Sequence, residues 1–247
     1  MTAAEMRMPA VLPVDESGIV PGDDLRSPQQ RFGARVQNKS AATLQAEVMR
    51  REQQTLANAF SDLATTDAVP VAAARICSAR RKFIVGLGRS AAFATLLRSD
   101  LSSGVSNVFL IDGVGLEMSD VLSDVRSTDV LVVFSLRRYR RETIEFGRRF
   151  AAAGGDLVVV TDSARAPLAA TATALIAVDT DSASFADSPT ALAATCLLLS
   201  TLVTARAKGA QRRLETRERA FDALGWYAAP AEESGSSAGE AREGERS

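Results

Sequence analysis

The sequence predicts an α/β fold: a five-stranded, parallel, doubly wound sheet with flanking helices, preceded by an amphipathic helix. Three observations lead there. Five short apolar runs recur between residues 82 and 179, each closed by a polar or small residue. Stretches of helical character separate them. The first run ends in the glycine-containing turn "GLGRS" (86–90), which opens a helix. Continuous apolar runs suit strands buried on both faces, and alternation with helices makes the sheet parallel.

The elements follow in order. Residues 1–35 scatter prolines and glycines and sustain no apolar period, so an unstructured segment is expected. Residues 36–67 read as a linker with an amphipathic helix, because Leu44, Val48, Leu56, Phe60 and Leu63 recur at helical spacing. The five predicted strands are "KFIVGLG" (82–88), "NVFLID" (107–112), "DVLVVFS" (129–135), "DLVVVTD" (156–162) and "ALIAVD" (174–179). Helices are expected at 90–103, about 116–125, 142–153 and 167–172, then two longer ones at about 189–208 and 211–224. The tail 228–247 has no apolar periodicity and is expected to be disordered. One domain therefore spans 68–227.

Composition narrows the function. Lysine plus arginine number 29 against 30 acids, a net charge of −1, so global electrostatics argues for no nucleic-acid partner. The chain has no histidine, which removes the commonest general base and metal ligand. Cys77 and Cys196 lie far apart in apolar contexts and read as two inert thiols, with no metal or other cofactor implied. The N-terminus lacks a signal-peptide core. The longest apolar run, 191–205, contains four hydroxyl residues and is short for a membrane span. A cytoplasmic location is the expectation.

In a doubly wound sheet, ligands bind beyond the carboxyl ends of the strands. Three loops there carry chemistry. In "GLGRS", the glycines permit a tight turn, and Ser90 sits where free backbone N–H groups favour an anion. The turn is not a dinucleotide fingerprint, since Ala91 occupies the third glycine position. In "SLRRYRRET" (135–143), four arginines and a tyrosine follow a serine at the end of a strand. In "TDS", Thr161, Asp162 and Ser163 can each cap a turn or bind a ligand.

Together these loops resemble the sugar isomerase (SIS) domain, a phosphosugar-binding unit of flavodoxin-like fold. Its GxGxS loop is matched by Gly86, Gly88 and Ser90. Its SxSGxT loop corresponds to Ser135 through Thr143, with Leu136, Arg137, Arg138 and Tyr139 in place of the glycine-containing centre. "S-x-R-R-Y-x-R-E-T", "TDS…APLA", "SFADSPTALAATCLLLSTLV" and "RLETRERAFDALG" are similar to one branch of the RpiR-type transcriptional regulators, whose SIS domain senses a sugar phosphate. Such regulators carry an N-terminal helix-turn-helix domain, and residues 1–35 show no helical periods that would build one.

The resemblance implies a phosphorylated sugar or amino-sugar effector held by Gly88, Ser90, Ser135, Arg137, Arg138, Tyr139, Thr143, Thr161, Asp162 and Ser163. Arg137 and Arg138 would supply countercharge through charge-assisted hydrogen bonds. Arg141, Glu145 and Arg149 instead read as an exposed charge ladder. SIS domains also serve aldose–ketose isomerases, whose chemistry needs a base; Glu142 is the acid nearest the second loop. The sensor reading is preferred and the isomerase is its alternative. The apolar surplus on 36–63 and 189–208 predicts a homodimer or a tetramer.

Overall fold

The structure is a computed structural model that describes residues 27–227; the expectations for 1–26 and for the tail lie outside the described residues. The chain enters through α1 (Pro28–Arg35). This helix lies inside the stretch expected to be unstructured. Its signal is local: Ser27 Oγ accepts from the Gln30 N–H, Gln30 Oε1 accepts from the Ser27 N–H at 2.8 Å, and Pro28 occupies the first turn. The residue it buries is Arg31, so a search for apolar period passes over it.

Helix α2 (Ala41–Ala64) is capped by Ser40 and buries Thr55, Ala59 and Leu63. Of the expected apolar stripe, Leu63 is in the core, while Phe60 is 46% exposed. The covered face is thus rotated toward small residues, which let α2 approach a later helix closely. Helix α3 (Ala68–Ser78), not foreseen as a separate element, sets Val69, Ala72, Ala73 and Ile76 against the sheet. Pro70 falls in its first turn, where its missing N–H breaks no helical bond.

The sheet comprises β1 (Arg81–Gly86), β2 (Val108–Ile111), β3 (Asp129–Ser135), β4 (Asp156–Thr161) and β5 (Ala174–Ala177). All pairings are parallel and the order is β2-β1-β3-β4-β5. The helices around it are α4 (Ala91–Gly104), α5 (Met118–Leu122), α6 (Arg141–Ala152), α7 (Thr190–Arg206) and α8 (Ala210–Leu224). Successive strand side chains point to opposite faces. Ile84, Val132, Phe134, Val158 and Ile176 join one core with α3, α4 and α7, while Phe83, Val85, Leu131, Val133 and Val159 join another with α5 and α6. Coverage of both faces explains why the runs are continuously apolar. Among the described residues, no single helix is long and apolar enough to cross a membrane.

The strand order reverses between β1 and β3, which lie side by side with Gly86 opposite Phe134. Their carboxyl ends therefore open on a shared crevice.

Candidate functional site

That crevice holds a cavity of about 410 Å³. Its floor is the end of β1 and β3, with Leu87, Phe134 and Ser135. Gly88, Arg89 and Ser90 form one wall as a 3₁₀ turn leading into α4. Arg137, Arg138 and Arg140 form a second with Thr143, in the first turn of α6. Asp187, Ser188 and Leu192 close the third, from the loop before α7 and from α7 itself. The N-terminal ends of α4, α6 and α7 thus converge on one space. Each brings the N–H groups of a first helical turn and the positive end of a helix dipole.

The turn after β1 needs its glycines. A Cβ on Gly86 would lie 2.4 Å from the Ser90 carbonyl oxygen. Gly88 has φ +61°, and the Arg140 guanidinium passes 3.3 Å from where its Cβ would be. Arg138 is held at φ +53°, a left-handed conformation costly for a side chain of its size. Strain of this kind, on the rim of a cavity, persists only where surrounding structure enforces it.

Polarity decides what the cavity suits. Four arginines line it against one carboxylate, Asp187. Ser135 is 2% exposed, and its Oγ has no hydrogen-bond partner among the described residues. A buried hydroxyl left in that condition costs free energy until something bonds to it.

Six of the ten expected ligand residues line this cavity: Gly88, Ser90, Ser135, Arg137, Arg138 and Thr143. Tyr139, Thr161, Asp162 and Ser163 do not. Arg137 Nε and the Tyr139 hydroxyl both donate to the Asp162 carboxylate, at 3.0 and 2.9 Å. Thr161 Oγ1 reaches the same carboxylate at 3.4 Å. Burial, then the Asp162 charge, pushes the Tyr139 phenol upward, so it stays protonated as a donor to that carboxylate. Ser163 Oγ accepts from the Arg165 N–H and so closes its own turn. Tyr139, Thr161 and Asp162 thus form a cluster beside the cavity, in which Asp162 anchors Arg137. Burial works against the Arg137 charge, but Asp162, and Asp187 beyond it, outweigh that and raise its pKa.

Arg89, Arg140, Asp187 and Ser188 are lining residues beyond those ten. Arg89 and Arg140 lay inside motifs already recognised. Asp187 and Ser188 lie in a stretch, "SFADSPTALAATCLLLSTLV", that resembles the RpiR-type family but lies outside the expected site; tertiary folding brings them to the cavity. Arg141 is exposed and absent from the lining, and Arg149 pairs with Glu145 at 2.7 Å, as the expected charge ladder requires.

Comparison with known proteins agrees with this architecture. Residues 75–205 match the SIS domain, and the chain belongs to the SIS domain family. The sugar isomerase domain of an RpiR transcription factor from Sphaerobacter thermophilus is 26% identical, with a TM-score of 0.67 over 73% of this chain and 99% of that one. The Vibrio vulnificus NanR protein, solved with ManNAc-6P, is 16% identical with a TM-score of 0.58, covering 74% of this chain and 73% of that one. A Methanococcus jannaschii protein with an inferred 3-hexulose-6-phosphate isomerase function is 13% identical, with a TM-score of 0.52 over 70% of this chain and 96% of that one. No match was found among curated protein sequences.

Proposed function

We propose that this chain is a sugar-phosphate sensor of the RpiR type: its cavity binds a phosphorylated sugar or amino sugar without converting it, in the cytoplasm. The observation that carries this reading is the unpartnered, buried Ser135 hydroxyl in an arginine-lined cavity on which three helix N-termini converge. A phosphate there accepts from Ser135, from Ser90 and Thr143, and from the N–H groups of the turn after β1, while Arg138 and Arg140 neutralise it. The apolar lining from Phe93, Leu136 and Leu192 leaves room for a sugar ring beside it.

Isomerisation requires a base on the substrate. The carboxylate lining the cavity, Asp187, is tied to Arg31 at 2.5 Å, and Glu142 is exposed and faces Arg140. Neither is poised to move a proton between carbons. Calorimetric titration with a panel of hexose, pentose and amino-sugar phosphates, beside their unphosphorylated parents, tests the proposal. Binding that requires the phosphate, with no aldose–ketose product, supports it. Product formation establishes the isomerase instead, and equal binding of neutral sugars removes the phosphate from the argument.

We also propose that the functional unit is a homo-oligomer. An apolar groove between α2, α3 and α7, bounded by Phe60, Val69, Pro70 and Leu198, leaves Leu197 63% exposed. The same helices carry the apolar surplus in the sequence, and a second copy of the chain is the occupant that would bury it.

A further inference from the structure

The loop between β5 and α7, residues 178–189, has two sides. Its inner side brings Asp187 and Ser188 to the cavity. Its outer side is clasped by the two N-terminal helices. Arg31 of α1 donates to Asp187 Oδ1 at 2.5 Å, and Arg35 donates to the Ser182 carbonyl at 2.7 Å. Glu52 of α2 accepts from the hydroxyls of Ser188 and Thr190, each at 2.5 Å. Phe32 meets Phe185 edge-on, with ring centroids 6.5 Å apart. Arg89, on the cavity wall, holds the loop from within through the Asp187 carbonyl at 2.7 Å.

Asp187 is therefore a resident anion in a site built for anions. Its carboxylate is shared between Arg31, which is 4% exposed, and the field of Arg137. A phosphate entering the cavity takes over the arginines and places its own negative charge beside that carboxylate. Like charges so close in a partly buried site repel strongly. Asp187 must then shift together with the loop that carries it, which spoils the geometry of its bond to Arg31 and leaves that buried cation poorly paired, a costly condition.

We propose that a bound phosphate and the Asp187 carboxylate compete for the arginine charge of the cavity, so that occupancy displaces Asp187 and loosens α1 from the loop. This rests on the phosphate-binding reading above. It adds that the N-terminal helix reports on the state of the cavity.

Hydrogen exchange on the whole chain separates the two. Inorganic phosphate is the probe, with chloride at matched ionic strength as control. Amides at Gly88–Ala91 read binding, those at Phe32–Val36 read the clasp, and those of β3 confirm that the fold is intact. The expected result is slowed exchange at 88–91 with exchange of α1 accelerated by roughly tenfold, the worth of one charge-assisted hydrogen bond. Asp187→Asn and, as a variant outside the cavity, Arg31→Gln should each accelerate α1 without phosphate, and phosphate should then add nothing. Protection at 88–91 with α1 unchanged or slowed overturns the competition alone. No protection at 88–91 sinks the anion reading and this inference with it. If β3 stays protected and neither variant accelerates α1 in the free protein, the clasp does not depend on Asp187 and the proposal fails.

Discussion

Arg137, in the loop after β3, donates through Nε to the carboxylate of Asp162, just after β4, at 3.0 Å; the Asp162 side chain is 2% exposed and that of Arg137 24%. The pair joins two loops at the mouth of the cavity and sets where the Arg137 guanidinium stands. Arg137→Ala leaves Asp162 buried with only hydroxyl partners, and a loss of about 1.5–3 kcal/mol is expected. Asp162→Asn keeps an acceptor oxygen for the Tyr139 hydroxyl but removes the charge and sets an NH2 donor against the Arg137 N–H. Urea denaturation of both single variants and of the double should give a coupling of about 1–3 kcal/mol. Strict additivity would mean that the pair is solvated and idle.

Ser135→Ala separates binding from stability. The hydroxyl has no partner among the described residues, so its removal should leave the denaturation midpoint unchanged or slightly raised. Affinity for a sugar phosphate should fall by roughly tenfold, since one hydrogen bond to a charged group is lost. Lower stability with unchanged affinity would place this hydroxyl outside the binding surface.

At Gly86 and Gly88 the turn after β1 resists a side chain. Gly88→Ala forces a left-handed alanine at a cost of about 1–2 kcal/mol and presses on the Arg140 guanidinium. Gly86→Ala is worse, because the contact at 2.4 Å is with the Ser90 backbone and a rotamer change cannot relieve it. Phosphate protection of the 88–91 amides should weaken in the first variant and vanish in the second. Wild-type protection in Gly86→Ala would show that the turn shifts freely.

Lys82 provides a pH signature. It is 5% exposed, its ammonium donates to the Ala79 carbonyl at 2.6 Å, and burial lowers its pKa below the ordinary 10.5. In the window between the lowered and the ordinary value, the unfolded chain binds more protons than the folded one. Stability contributed by this residue therefore rises with pH there. Burial also pushes the Cys196 thiol up to about 12, which acts in the opposite sense as pH rises. The difference between wild type and Lys82→Met cancels that common part. The stability advantage of the methionine variant should be largest near neutral pH and shrink as pH approaches the lysine range. An advantage that stays flat with pH would mean that the ammonium is not desolvated.

Leu197→Glu tests assembly. The side chain stands 63% exposed on α7 beside the apolar groove, so the charge costs the monomer little. Sedimentation should show an oligomer for the wild type and a smaller species for the variant. A monomeric wild type at tens of micromolar, where even weak dimers form, removes the oligomer.

Most of the fold was legible in the sequence, and a definite part was not. The runs at 82–88, 129–135 and 156–162 mark strands because both faces of the sheet are covered, which imposes apolarity on every residue. Helix α1 escaped because it is short and buries an arginine. Helix α3 escaped because its alanines carry little periodic contrast.

Within the site, the loops at the carboxyl ends of the strands could be read from the residues themselves. Glycines in a tight turn, a serine at a strand end and a run of arginines are local chemistry. The tertiary structure alone decided which of those groups face the cavity. Tyr139 and Asp162 are as polar as Ser135, yet they bond to each other because β4 runs beside β3, and Ser135 has no such neighbour. It also brought Asp187 from 52 positions beyond Ser135 and held it there with Arg31, 156 positions earlier in the chain. Pairings over such separations depend on how helices and loops dock. Local sequence sets what each segment can offer; packing sets which offers meet.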